Sequence, residues 1–394
     1  MTSYPLSEEH QALRDTVAEF AHTVVQPVIG GYYERAEFPY ELIARMAKLG
    51  LFGLPFPEEY GGMGGDLFAL GLALEELARV DSSVAITLEA AVALGAMPIY
   101  RFGTDEQRRR WLPELCSGER LAAFGLTEAG GGTDIPGGMR STARLDGATW
   151  VIDGSKSFIT NAGTSITALV TVLAVTGEAA GPGRREISAI VVPSGTPGFS
   201  VGPEYSKVGW CASDTRELAF TSCRVPADHL LGPRGRGYAQ FLEILDEGRV
   251  AIAALATGLA QGCLDECLRY VAERTAFGQP LGQFQATQFR VADMATRVHV
   301  ARLAWYDAAA RLVAGEPAKQ QAAMAKLVAS NAAMDNARDA TQLFGGYGFM
   351  NEFPVARFYR DAKVLEIGEG TSEVQRMIIA RELGLRHGAP GDSA

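Results

Sequence analysis

The stretch Trp150-Val151-Ile152-Asp153-Gly154-Ser155-Lys156-Ser157-Phe158-Ile159-Thr160 sets the middle of this chain apart from both flanks. β-Branched and aromatic residues crowd it, and Asp-Gly is a pair that two-residue hairpin turns favour. The spacing predicts two short strands, Trp150 to Ile152 and Lys156 to Thr160, joined by a tight turn at Asp153-Gly154. Period-two texture recurs around it. Ala168 to Val175 and Ile187 to Val192 read as strands joined by the glycine-rich loop Gly177 to Gly183, and Arg216 to Val225 as another, closed by Pro226. A small all-β domain over 122–231 follows.

On the N-terminal side the period lengthens to that of helices. Apolar residues repeat at helical spacing over Glu8 to Val24, Glu41 to Leu49 and Leu67 to Val80, with a glycine-rich break at 61–65. A further helix runs from a Thr104 cap through Gln107 to Leu115. Residues 1–121 therefore form an all-helical domain. Beyond 231 three long alanine-rich helices, at roughly 238–274, 284–314 and 318–343, predict an antiparallel bundle over 232–394. The chain is α+β and mostly α.

At 394 residues the chain is too long for one small core. Its formal charge of −10 argues against a nucleic-acid partner, which would want a basic face. The five cysteines, at 116, 211, 223, 263 and 267, contain no CxxC pair and no nearby histidine, so no metal site is expected. Their odd number fits a reducing cytoplasm. Met1 to His10 has neither the basic start nor the apolar stretch of a signal peptide, and Val250 to Ala260 is about half a membrane span.

One segment carries chemistry: Ile367-Gly368-Glu369-Gly370-Thr371-Ser372-Glu373-Val374-Gln375-Arg376. Glu369 sits between two glycines, so no neighbouring side chain blocks a ligand from its carboxylate. Ser372 and Gln375 suit a capping box for the helix that follows. The plain alternative is an acid favoured by the positive end of that helix.

Four more motifs stand in order along the chain. The first is Phe124-Gly125-Leu126-Thr127-Glu128-Ala129-Gly130-Gly131-Gly132-Thr133-Asp134, whose glycines expose N–H groups and whose threonines offer hydroxyls. Lys156-Ser157-Phe158-Ile159-Thr160-Asn161 is the second. Arg274-Thr275-Ala276-Phe277-Gly278, with Gln283-Phe284-Gln285, is the third, and its arginine is a fixed planar fork suited to phosphate. The fourth is Gln342-Leu343-Phe344-Gly345-Gly346. Asp246-Glu247-Gly248-Arg249 also begins a bundle helix.

Together these motifs resemble the acyl-CoA dehydrogenase flavoprotein family over residues 7 to 385. The resemblance implies an N-terminal helical domain, a central β-barrel-like domain and a C-terminal four-helix bundle. It implies FAD as cofactor, with Phe124, Leu126, Thr127, Gly132, Thr133, Phe158, Ile159, Thr160, Thr371 and Glu373 among its contacts. Arg274, Phe277, Gln285, Gln342, Gly345 and Gly346 would reach the flavin of a partner subunit, which requires a homodimer or homotetramer. Thr133, Asp246, Arg249 and Gly370 would meet the substrate, an acyl-CoA or acyl-carrier-protein thioester. No metal, membrane span or nucleic acid is implied.

Members of the family place the catalytic base either at the Glu of this glycine-flanked segment or just before the arginine of the bundle helix. The latter position is Gly248 here, and Glu247 would point about 100° away around the helix. The base is therefore Glu369. It would remove the proton alpha to the thioester while flavin N5 takes the beta hydride, giving a trans-2-enoyl thioester. In the family the thioester oxygen is met by the backbone N–H of this Glu and a flavin ribityl hydroxyl. Electrons would pass to an electron-transfer flavoprotein.

The alternatives are a flavin-dependent oxidase or monooxygenase on the same scaffold, or a non-catalytic acyl-thioester-binding partner protein. The chain departs from the family pattern in four places. Gly368 stands where an aromatic often precedes the Glu, Phe158 replaces a tryptophan, Ala129 a proline and Thr133 a serine.

Overall fold

In the computed structural model, which describes residues 6–179 and 185–385, helices occupy both ends of the chain and strands the middle. Residues 1–5 of the expected leaderless start, 180–183 of the expected loop and the tail from 386 lie outside the described residues.

The first helix is longer than its apolar repeat suggests. Ser7 accepts the His10 N–H at 3.1 Å, and the helix Glu8–Phe20 passes through a wide turn, Ala21–Val25, into Gln26–Arg35. Pro27 lies in the first turn of that last part, and the wide turn ahead of it absorbs the missing N–H. Tyr40–Lys48 and Leu67–Ala78 follow, and Thr104 and Gln107 form a reciprocal cap on Asp105–Cys116.

Between them runs a unit not resolved by periodicity: Ser82–Glu89, a wide turn Ala90–Ala96, and Met97–Phe102. Ser82–Phe102 and Gly237–Glu273 are both long and apolar enough to cross a bilayer. Their most apolar windows are 94% and 83% buried inside the protein, so both are core helices. The apolar run at Val250 to Ala260 is the centre of the second.

Among the described residues eight strands form one sheet: β1 (Leu121–Gly125), β2 (Thr142–Asp146), β3 (Thr149–Thr160), β4 (Thr167–Glu178), β5 (Arg185–Pro193), β6 (Phe199–Glu204), β7 (Thr215–Pro226) and β8 (Leu230–Leu231). Their order is β6-β7-β3-β2-β4-β5-β8, with β1 parallel to β4. Trp150, Ile152, Ile159, Val172, Phe220 and Val225 belong to the sheet's own small core.

The expected hairpin turn at Asp153-Gly154 is wrong. The chain runs straight through it as β3, and the turn lies one Asp-Gly earlier, where Asp146 pairs with Thr149 and Gly147 has φ 61°. Gly154 serves close approach instead: a Cβ there would lie 2.4 Å from Ser141 Oγ on the adjoining strand side. Asp153 Oδ1 accepts the Ser222 N–H at 2.6 Å, which pins β7 where the register slips.

The bundle is built on Gly237–Glu273, Gln285–Val313 and Lys319–Phe344, which pack on one another. Pro354–Leu365 and Ser372–Glu382 pack on the third of these, and Leu67–Ala78 packs on the first. The short segment carrying Glu369 thereby lies against the bundle and faces the sheet across a cleft.

Candidate active site

Residues 367–371 connect Pro354–Leu365 to Ser372–Glu382. The Ile367 and Gly368 N–H groups both return to the Val364 carbonyl, at 3.0 and 2.9 Å. The backbone then turns left-handed twice, with φ 52° at Glu369 and 95° at Gly370. A glycine adopts this freely, but a glutamate pays about 1 kcal/mol, so neighbours must hold the turn. The Gly370 carbonyl accepts from Gln375 Nε2 and from Lys326 Nζ, both at 2.8 Å. Ser372 N–H reaches the Glu366 carbonyl at 3.0 Å.

These bonds correct the expected capping box at Ser372 and Gln375. Thr371 is the cap, accepting the Val374 N–H at 3.3 Å, and Gln375 is drawn back to the loop instead.

The turn delivers Glu369 into a cleft of about 1670 Å³ between the sheet, the helix Gly237–Glu273 and the segment 364–385. Ligand pockets commonly measure roughly 300–1,000 Å³, so this one has room for two substantial ligands side by side. Glu369 is half-buried as a residue, yet its Oε2 is closed off, with no amide, hydroxyl or cation among the described residues donating to it.

What faces it is the carboxyl of Glu89, itself fully buried with neither oxygen satisfied by another donor among the described residues. Two carboxyls can share a hydrogen bond only if one keeps its proton. Burial, then the Glu369 charge, pushes Glu89 well above the carboxylate range, so Glu89 is the protonated member. Burial raises Glu369 too, to about 6. The Glu89 hydrogen bond and the charges of Lys326 and Arg249 pull it back down.

Gly248 explains why the helix position cannot hold a side chain alongside this base. A Cβ there would sit 2.3 Å from Glu369 Oε2 and 3.3 Å from Leu94 Cδ2. Glu247 points elsewhere, as its expected rotation requires, and pairs with Arg101 at 2.7 Å. Arg249 is buried and bonds Asp246 on its own helix rather than the loop, and its Nε has no partner among the described residues. The space above Gly368 is bounded by Trp210, whose ring would lie 3.7 Å from a Cβ at that position.

On the opposite wall the first two motifs meet. Glu128 accepts the Arg140 and Ser141 N–H groups and pairs with buried Lys156 at 2.7 Å. Ser157 N–H donates to the Thr127 carbonyl at 2.9 Å. Phe158, at φ 63° and 66% exposed, is held out into the cleft against Tyr205 rather than packed as a core aromatic.

Phe124, Leu126, Thr127, Gly132, Thr133, Phe158, Ile159, Thr160, Asp246, Arg249, Glu369, Gly370 and Thr371 all line this cleft. Glu373 does not; it is exposed and 3.9 Å from Arg376.

Arg274, Phe277, Gln285, Gln342, Gly345 and Gly346 are also absent from the lining. Twenty-five residues of helix separate Arg249 from Arg274, roughly 37 Å at 1.5 Å per residue. Arg274 lies over the Tyr347 ring at 6.0 Å, Phe277 is 97% exposed, and nothing crowds Gly345 or Gly346. They form a second exposed cluster.

Sequence reasoning missed Glu89, Lys326 and Trp210. The first two had a signal: a lone charge within an otherwise apolar or alanine-rich helical run.

Three family models match the chain in succession: the N-terminal, middle and C-terminal domains of acyl-CoA dehydrogenase, over residues 7–119, 123–223 and 235–384. A probable acyl-CoA dehydrogenase of Bacillus subtilis is 45% identical over 381 residues, covering 97% of this chain and 99% of its own. The solved butyryl-CoA dehydrogenase of Megasphaera elsdenii is 40% identical with a TM-score of 0.93, covering 98% and 100%. A structure from a study of the electron transferring flavoprotein of Acidaminococcus fermentans, concerned with flavin-based electron bifurcation, is 42% identical, again at TM-score 0.93 and the same coverage.

Proposed function

Because the chain belongs to the acyl-CoA dehydrogenase family, we propose that it desaturates the Cα–Cβ bond of an acyl-CoA, with FAD as cofactor and an electron-transfer flavoprotein as acceptor. The observation that carries the reading is the Glu369 carboxyl, enclosed in the cleft and raised by burial to about 6.

The cleft suits a flavin on its sheet side. Phe158 offers an exposed aromatic face at a backbone angle that packing alone does not favour, and Thr127, Thr133 and Thr160 offer hydroxyls beside it. Bound flavin would supply the hydride acceptor.

The remaining work falls to side chains of this chain. Glu369 takes the α-proton, a weak acid that needs a base of raised basicity held within reach. Protonated Glu89 hydrogen-bonds the Glu369 carboxylate and limits how far burial raises it. The Glu369 N–H makes no hydrogen bond to a described residue, which leaves it free for the thioester oxygen. The apolar wall of Ile86, Leu94 and Ile252 excludes water from the acyl chain.

The second cluster, Arg274 to Gly346, is too distant to serve this cleft, so in this reading it completes the cofactor site of a second copy. A homo-oligomer follows.

The test is anaerobic mixing of the purified protein with saturated acyl-CoAs of graded length and branching, starting at butyryl-CoA because of the Megasphaera relative. Bleaching of the flavin, restored by an electron-transfer flavoprotein, is expected. Peroxide formed stoichiometrically in air would indicate an oxidase, and no bleaching by any thioester would indicate an idle binding protein.

A further inference from the structure

Lys326 is a fully buried lysine on the helix Lys319–Phe344, on a face it shares with Ala322, Ala323, Ala329 and Ser330. A buried ammonium is costly unless something holds it. Its Nζ makes one hydrogen bond among the described residues, to the Gly370 carbonyl, and it makes no ion pair with any described carboxylate. It therefore reaches the active site from behind, through the backbone of the base's own turn.

We propose that Lys326 is a positioning residue for the base: it fixes the Glu369–Gly370 turn and supplies the buried positive charge that favours the ionised carboxylate. The proposal deepens the dehydrogenase reading and rests on Glu369 being the base.

Two features of the turn give it weight. Both residues at the bend are left-handed, and one of them is not glycine, so the bend does not hold itself. Among the described residues the Gly370 carbonyl takes two donors at bonding distance, Gln375 Nε2 from the following helix and Lys326 Nζ from the bundle. Only the second carries charge. The charged groups that act on Glu369 come from three packed elements: Glu89 from the unit Ser82–Phe102, Arg249 from Gly237–Glu273, and Lys326 from Lys319–Phe344; Asp246 is bonded to Arg249, and Glu366 and Glu373 act on Lys326. Of the two cations that act on Glu369, Arg249 is shared with Asp246, and Lys326 is committed to no carboxylate among the described residues. Burial lowers the Lys326 ammonium to about 8, offset in part by the Glu369 charge, so it is protonated at neutral pH.

The test compares wild type, Lys326→Met, Lys326→Gln and Gln375→Leu as flavin-loaded proteins. Each is assayed for single-turnover flavin reduction by butyryl-CoA, or by the most active acyl-CoA if butyryl-CoA fails, across pH 5 to 9. Wild-type bleaching must come first: its failure overturns the dehydrogenase reading on which the proposal rests, whereas the variant comparisons test the role of Lys326 alone. Given bleaching, Lys326→Met is expected to slow reduction at least tenfold at pH 7 with KM changed less than threefold. In both lysine variants the acid limb should move up by about one pH unit, as loss of a nearby opposite charge requires. Gln375→Leu should slow reduction without moving the limb. A limb that superimposes on wild type in Lys326→Gln refutes the electrostatic role. Failure of both lysine variants to fold with flavin would make Lys326 a purely structural residue and also overturn the proposal.

Discussion

Adding a single methyl group at Gly248 should disable the base while leaving the fold intact. The Cβ of Gly248→Ala would stand 2.3 Å from Glu369 Oε2, whereas ordinary contact begins at 3.4 Å, so the carboxylate must retreat by about 1 Å. The atom displaced is the end of a flexible side chain, and the other close neighbour, Leu94 Cδ2 at 3.3 Å, needs to give very little. Misplacement of a catalytic group by 1 Å costs about 100-fold in rate, or about 2.7 kcal/mol of barrier. The helix itself gains, because alanine is better than glycine in a helix interior by about 1 kcal/mol. Activity and stability should therefore part company. The assay is stopped-flow flavin reduction under saturating acyl-CoA, with thermal unfolding measured on the same preparation. Expected are a reduction rate about 100-fold lower and a melting temperature unchanged or slightly raised. A rate within threefold of wild type would show that Glu369 does not work from the position against Gly248, and the reasoning would fail.

Other outcomes follow from the same geometry. Because Glu369 acts as its carboxylate and burial raises it to about 6, turnover should be present above that pH and fall away as pH drops through it. Glu89→Leu removes the donor that lowers Glu369, so the acid limb of the rate profile should move to higher pH, while Glu89→Gln keeps an N–H donor and should leave it nearly in place. Identical profiles for the two variants would contradict the carboxyl pair. Lys156→Met strands the Glu128 carboxylate without its buried cation; loss of one partner of such a pair costs about 3–5 kcal/mol. Denaturant unfolding should register that loss, and flavin retention should fall with it, since Glu128 organises the loop from Leu126 to Thr133.

The helix–sheet–helix plan was legible because its signals are local. Period-two strands at 168–175, 187–192 and 216–225 grew by one to three residues at each end, and the Thr104 cap appeared as read, with Gln107 returning a second bond that the reading did not include. Local signals misled where two equivalent ones compete: both Asp146-Gly147 and Asp153-Gly154 suit a turn, and the pairing of Leu145 with buried Trp150 decides between them. The cap at Thr371 was misread for a similar reason, since the Gln375 amide is claimed by a carbonyl five residues back. Glu369 could be singled out because its glycine neighbours announce it. Its partners could not, because Glu89 lies 280 positions away and Lys326 on another helix, and only tertiary packing brings them together.

Replacing Glu369 by glutamine tests the central claim most directly, because it keeps the shape of the side chain and the Glu89 neighbour while removing the basic oxygen. Flavin should still bind with an unchanged spectrum, and its anaerobic reduction by acyl-CoA should fall by 10²- to 10⁴-fold, the range such proton transfers contribute. A variant that still bleaches at the wild-type rate would mean that another group takes the α-proton, and the assignment of the base would be wrong.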